Sequence, residues 1–140
     1  MNVTFTEDVA TIDWEQLVLV FKRAPLGDRE AGRLREAFTN SGVRCFAWHQ
    51  GELVGAGRAI TDGITYAAIF DVVVSPEYQG KGIGKQIMLF LAERSKAANI
   101  ILHAVPGKDD FYRKLGYRKM KTAMGRFANP DRLAQLGYIE

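Results

Sequence analysis

The stretch Val72-Val73-Val74-Ser75-Pro76-Glu77-Tyr78-Gln79-Gly80-Lys81-Gly82-Ile83-Gly84-Lys85 constrains the fold more than any other part of the chain. It opens as a run of β-branched residues, which favours a strand. Ser75-Pro76 stops the run, because proline cannot donate to a ladder and biases the residue before it away from helical geometry. Three glycines at alternate positions follow, and an amphipathic helix then begins, with Ile83, Ile87, Phe90 and Leu91 on one face. The order strand, glycine turn, helix leaves backbone N–H groups unpaired at a helix N-terminus, where the dipole favours negative charge. Glycines let a phosphate approach the backbone, and Lys81 and Lys85 add positive charge. The pattern predicts a pyrophosphate cradle formed by Gln79, Gly80, Lys81, Gly82, Ile83, Gly84 and Lys85.

Two familiar phosphate loops do not fit. A Walker loop needs Gly-Lys followed by Ser or Thr, but Gln86 follows Gly84-Lys85, and Gln79 stands where its first glycine belongs. The dinucleotide pattern Gly-x-Gly-x-x-Gly fails because Lys85 occupies the third glycine position. The pattern that fits is Gln-x-x-Gly-x-Gly over Gln79 to Gly84, which resembles the coenzyme A signature of the GNAT N-acetyltransferases. Downstream, Asp110-Phe111-Tyr112-Arg113-Lys114-Leu115-Gly116-Tyr117 resembles the family's second coenzyme A element, Phe/Leu-Tyr-x-x-Leu-Gly-Phe/Tyr. The two elements cover about residues 66 to 120. The segment Ile69-Phe70-Asp71-Val72-Val73-Val74 is further similar to the bacterial and plastid branch that contains arylalkylamine, or serotonin-type, N-acetyltransferases.

The resemblance implies acetyl-CoA as co-substrate. Its pantetheine arm would pair with the strand backbone at Val72, Val73 and Val74, and its pyrophosphate would sit on Gly80 to Lys85. The thioester would lie where that strand splays from a parallel neighbour near Leu102 to Ala104. One departure stands out: many family members carry asparagine just before the second helix, and here Pro106 takes that place.

Composition is consistent with one globular domain over residues 1–140, with 47% hydrophobic and 25% charged residues. The net charge of +3 is too small to argue for nucleic acid. Cys45 is the only cysteine, so no internal disulfide forms, and its apolar alternating surroundings predict a core residue rather than a nucleophile. Two separated histidines and one cysteine do not make metal-ligand spacing, so no metal is expected. No signal peptide and no apolar run of membrane length is evident, so no membrane partner and a cytoplasmic location are expected.

Along the chain, Asn2 to Thr6 alternates as an edge strand. Asp13 caps a helix carrying Trp14, Leu17, Val18 and Phe21 at helical spacing. A second helix is expected from Asp28 to Phe38. Val43 to His49 and Glu52 to Thr61 form a hairpin about Gln50-Gly51, with His49 exposed at its tip. Thr65 to Val74, with few polar groups, reads as a central strand. The glycine-turn helix is expected to reach Ala98, followed by a buried strand Ile100 to Ala104. A short helix Lys108 to Leu115 stops at Gly116, strands follow at Tyr117 to Met120 and Ala123 to Ala128, and Asn129 caps a last helical turn. The sum is an α/β (α+β) fold, a mixed and mostly antiparallel sheet with helices on both faces and one splayed parallel pair.

Acetyl transfer to an amine needs a neutral nucleophile, although a free alkylamine has a pKa of about 10. It also needs an oxyanion donor, such as the Val72 N–H, and an acid for the leaving thiolate. By the resemblance, Tyr112 matches the family tyrosine at the coenzyme A sulfur and would be that acid. The positions where family members often carry a base are Ala68 and Phe70, neither of which takes a proton. Asp71 and His103 are the remaining candidates, though strand alternation turns Asp71 away from the face of Phe70. A third option is an amine that sheds its proton to water. Arg23, Arg29 and Arg33 could hold an acidic acceptor. The expected partner is a small primary amine, and the fold admits a homodimer. The alternatives are a lysine or N-terminal protein acetyltransferase and a non-catalytic coenzyme A-binding sensor.

Overall fold

The computed structural model describes residues 1–140. The chain divides into two compact units, Met1–Leu102 and His103–Glu140.

The first unit contains a five-stranded sheet in the order β1-β2-β3-β4-β5. The strands are β1 (Thr4–Thr6), β2 (Val43–His49), β3 (Glu52–Thr61), β4 (Tyr66–Val74) and β5 (Asn99–Ile101). The first four pair antiparallel, and β5 runs parallel to β4. Helix α1 (Trp14–Arg23) starts where Asp13 accepts the N–H groups of Glu15 and Gln16, satisfying two donors that a helix start leaves over. Helix α2 (Ala31–Asn40) starts later than the expected Asp28, because Glu30 caps it, accepting from Gly32 and Arg33.

Alternation along the strands splits the core between two helix layers. Phe46, Leu53, Ala56 and Val73 pack with Leu17, Val20 and Phe21 of α1 and with Leu34 and Phe38 of α2 in one buried cluster. The opposite face meets α3 (Ile83–Ser95). There Gly57 has no room for a side chain: a Cβ would lie 2.9 Å from both Ile87 Cγ2 and Leu91 Cδ1. α3 stops at Ser95, short of Ala98, because Lys96 takes a left-handed conformation at φ +56 and ends the hydrogen-bond ladder.

β4 does not alternate throughout. Ala56 faces Val73 and Arg58 faces Phe70, so Gly57 alone opposes both Asp71 and Val72. This is a bulge, with Asp71 at φ +59. β5 is shorter than expected and pairs only with Tyr66, Ala67 and Ala68. From Ile69 to Val74, β4 therefore has no strand beside it on the side away from β3.

The second unit contains α4 (Asp109–Lys114) and α5 (Pro130–Gln135). At the end of α4, Gly116 N–H donates to Arg113 O and Tyr117 N–H to Tyr112 O, both at 3.0 Å, a paired C-terminal cap. Asn129 accepts the Arg132 N–H at the start of α5. The strands expected at Tyr117 to Met120 and Ala123 to Ala128 do not form. Their first residue is spent on the α4 cap, Arg118, Lys119 and Lys121 favour solvent, and the Phe127 ring folds over Gly125. No helix is long and apolar enough to cross a membrane.

Candidate active site

Three features of the first unit converge on the C-terminal end of β4. The first is the unpaired edge from Ile69 to Val74. The second is the turn that follows it, a single 3-10 turn (Pro76–Tyr78) leading to Gln79. Both ends of this turn are anchored. The irregular register between β2 and β3 aligns Ala47 with Gly55 and Trp48 with Leu53, leaving Val54 without an opposite residue, and the Val54 carbonyl accepts the Ser75 N–H at 2.8 Å. The Gln79 side-chain amide donates to Val74 O at 2.9 Å, which turns the loop back on the strand end.

The third feature is the start of α3. Gly80 and Gly82 have φ values of +77 and +83, and no atom lies within 4 Å of where their Cβ atoms would stand. Left-handed backbone of this kind suits glycine, and the space above it is open. Gly82 is the N-cap and no side chain caps the helix. The first-turn N–H groups of Ile83, Gly84 and Lys85 are thus presented outward together with the positive end of the helix dipole. Lys81 and Lys85 are exposed beside them. A cavity of about 700 Å³ lined by Met1, Asn2, Val3, Thr4, Lys81, Ile83 and Gln86 adjoins this turn.

Asp71 lies on the same face as Phe70, because the bulge cancels the alternation that would have separated them. The Arg58 guanidinium touches both, with Nε 2.8 Å from Asp71 Oδ2 and its carbon 5.3 Å from the centre of the Phe70 ring. Asp71 Oδ1 accepts from Arg29 Nη1 at 3.0 Å. Burial by itself would raise the carboxyl pKa, but the Arg58 hydrogen bond and the charges of Arg29 and Arg58 outweigh it and hold Asp71 below the usual carboxylate range. Arg58 has no sign in the sequence as a partner of Asp71, and Arg29, expected to face an acidic acceptor, turns to Asp71 instead. An isolated glycine inside a strand pattern, here Gly57, was the available signal for the bulge.

Of the arginines expected near an acceptor, Arg23 pairs with Glu77 and Arg29 with Asp71. Cys45 is wholly buried, and burial pushes its thiol up to about 12, so it stays protonated. His49 is half-buried at the end of β2 rather than free at a tip, with Nδ1 2.9 Å from Asn2 O and its ring against Tyr78.

In the second unit, Tyr112 is half-buried on α4, edge-on to Phe111 at 4.9 Å and to Tyr117 at 6.0 Å. Burial, then the neighbouring Tyr117 and Tyr138, raises its phenol above the ordinary value, so it holds its proton at neutral pH. His103 lies beyond β5 rather than on it, between the rings of Phe127 and Tyr138 at 6.2 and 5.8 Å. No group of three or more His, Cys, Asp and Glu side chains is placed to hold a metal ion.

The first unit thus presents a mixed sheet with one strand edge left open, running into a glycine turn and an uncapped helix start. A family model described as the acetyltransferase (GNAT) domain matches residues 41–119, and the chain belongs to that family. It is 30% identical over 78% of its length to an uncharacterized ycf52-like N-acetyltransferase of Prochlorococcus marinus, covering 64% of that protein. It is 38% identical over 70% of its length to serotonin N-acetyltransferase 2, chloroplastic, of Oryza sativa, covering 52% of it. The chain thus spans about half to two-thirds of the length of these relatives. A solved GNAT family structure from Streptococcus pneumoniae superposes with a TM-score of 0.74 at 22% identity, covering 90% of this chain and 96% of the other, a likeness of fold.

Proposed function

We propose that the chain is an acetyl-CoA-dependent N-acetyltransferase that moves an acetyl group to the primary amine of a small molecule by direct attack in a ternary complex. One observation carries this reading: the unpaired backbone edge of β4 leads, through a single 3-10 turn, to an uncapped helix start framed by Gly80 and Gly82. An edge of free N–H and C=O groups suits an extended amide-bearing arm. Outward N–H groups at a helix start, with Lys81 and Lys85, suit a diphosphate. Coenzyme A joins these two chemistries in one molecule, and acetyl-CoA supplies the acetyl group as a thioester.

The backbone of Val72, Val73 and Val74 would hold the arm and donate to the developing oxyanion, and Gln79 to Lys85 would hold the diphosphate. Tyr112 is the proposed acid for the leaving thiolate, on its match to the family motif and its un-ionised phenol. His103 is carried as a candidate base, together with deprotonation of the amine by water. The name of the rice relative makes arylalkylamines the first acceptors to try.

The test is thiol release from acetyl-CoA against arylalkylamines, polyamines, amino acids, aminoglycosides and a lysine peptide, with wild type and Tyr112→Phe. Turnover with one small-amine class, lowered about tenfold or more by the substitution, is expected. Turnover with the lysine peptide alone would replace the acceptor class. Tight acetyl-CoA binding with no turnover would leave a non-catalytic coenzyme A-binding protein.

A further inference from the structure

The bulge in β4 is held by residues from distant parts of the chain, and none of them has a step in the reaction set out above. Asp71 takes a left-handed conformation at φ +59, which Asp tolerates better than most residues but not without cost. Its two carboxylate oxygens are spanned by two guanidiniums, Arg29 Nη1 at 3.0 Å and Arg58 Nε at 2.8 Å. Arg29 belongs to the connection between α1 and α2. Its Nε and Nη2 donate to Leu26 O at 3.3 and 3.2 Å, and its guanidinium lies 4.2 Å over the Phe21 ring. Arg58 Nη1 donates to Ser41 Oγ at 3.2 Å, just past α2. One carboxylate therefore ties the α1–α2 connection, the end of α2, β3 and β4 together. The carboxylate is only 15% exposed, and no buried side-chain polar atom in the chain lacks a hydrogen-bond partner.

Each oxygen of Asp71 already pairs with a guanidinium, and the two positive charges make the carboxylate a weaker proton acceptor than a free one. Its position in the chain is equally telling, because the bulge falls inside the edge, Ile69 to Val74, that β5 leaves unpaired. A bulge turns the backbone groups that follow it. Here those are the groups of Val72, Val73 and Val74.

We propose that Asp71 is a positioning residue: with Arg29 and Arg58 it holds the β4 bulge, and the bulge aims the backbone of Val72 to Val74 at the acetyl-CoA arm. This rests on the acetyl-CoA reading above. Asp71 then acts through the backbone, and the reaction uses no proton of its own from this carboxylate.

The experiment compares Asp71→Ala, Asp71→Asn and Arg29→Gln with wild type in two readouts, acetyl-CoA affinity by calorimetry and kcat between about pH 6 and 9. Asp71→Ala removes the tie and leaves a strained Cβ, and is expected to weaken acetyl-CoA binding and lower kcat by about tenfold or more. Asp71→Asn keeps an acceptor oxygen and tolerates the left-handed backbone, so an intermediate loss of about threefold is expected, with the wild-type shape of the pH profile. An Asp71→Asn as inactive as Asp71→Ala, with the acid limb of the profile gone and acetyl-CoA affinity unchanged, would make Asp71 a base and overturn the proposal. Variants that all match wild type would overturn it too, with the acetyl-CoA reading intact. A wild type that binds no acetyl-CoA would overturn that reading first. If Asp71→Ala does not fold, Arg29→Gln decides, since it leaves the Arg58 pair in place. Acetyl-CoA affinity weakened about threefold supports the tie, and unchanged affinity overturns it.

Discussion

In Met1–Leu102, side chains such as Phe21, Phe38 and Phe46 are wholly withdrawn from solvent, whereas no side chain of His103–Glu140 is fully buried. The first unit is shaped by where its apolar residues can go. The second is shaped by local hydrogen bonds, chiefly the paired cap after α4 and the Asn129 cap of α5. The open β4 edge and the glycine turn belong to the first kind of structure, Tyr112 to the second. The backbone groups of that edge sit on a packed scaffold. Tyr112 sits on a short helix closed by a C-terminal cap.

The largest test of this contrast is a pair of truncations. Phe46→Ala should cost about 3–5 kcal/mol, because it empties a site with no exposure between Trp14 and Phe38. Leu133→Ala, at the one half-buried position of the otherwise exposed α5, should cost about 1 kcal/mol. Urea unfolding reads both, and equal losses would break the distinction.

A smaller effect is expected in acid. The folded pKa of Asp71 lies below its ordinary value of about 3.9. Its stabilisation is therefore full above that pH and is lost as pH falls toward the folded value. At most about 1.4 kcal/mol per pH unit follows from one group. Asp71→Asn should abolish that part of the slope in melting curves taken below about pH 4. Asp109→Asn in the second unit, whose pairs with Arg113 and Lys119 are exposed, should change stability by less than about 1 kcal/mol at neutral pH. An acid slope unaltered by Asp71→Asn would mean that the two arginines do not stabilise the folded carboxylate.

The same contrast explains what was legible in the sequence. Burial leaves a periodic trace, so β2, β3, β4, α1 and α3 could be placed from Val43, Leu17 and Ile87 and their spaced neighbours. Caps leave a local trace, so Asp13, Gly116 and Asn129 could be read as helix ends. Neither trace reports contacts between residues far apart in sequence. Arg29 and Asp71 are 42 positions apart, and nothing near either one announces the other. The bulge had a glycine, Gly57, as its sign, and alternation placed Asp71 on the wrong face. The strand expected at Ala123 to Ala128 does not form, because a strand also needs an edge to pair with. His103 lies outside β5 for a related reason: pairing with β4 stops at Ala68, and the chain beyond Ile101 leaves the sheet.

The central claim is that the β4 edge and the glycine turn together receive acetyl-CoA. Amide hydrogen exchange with and without saturating acetyl-CoA tests it most directly. The account predicts slowed exchange in two segments, Ile69 to Val74 and Gly80 to Lys85, with little change at the β1–β2 edge. Acetyl-CoA binding that slows exchange in neither segment would contradict it.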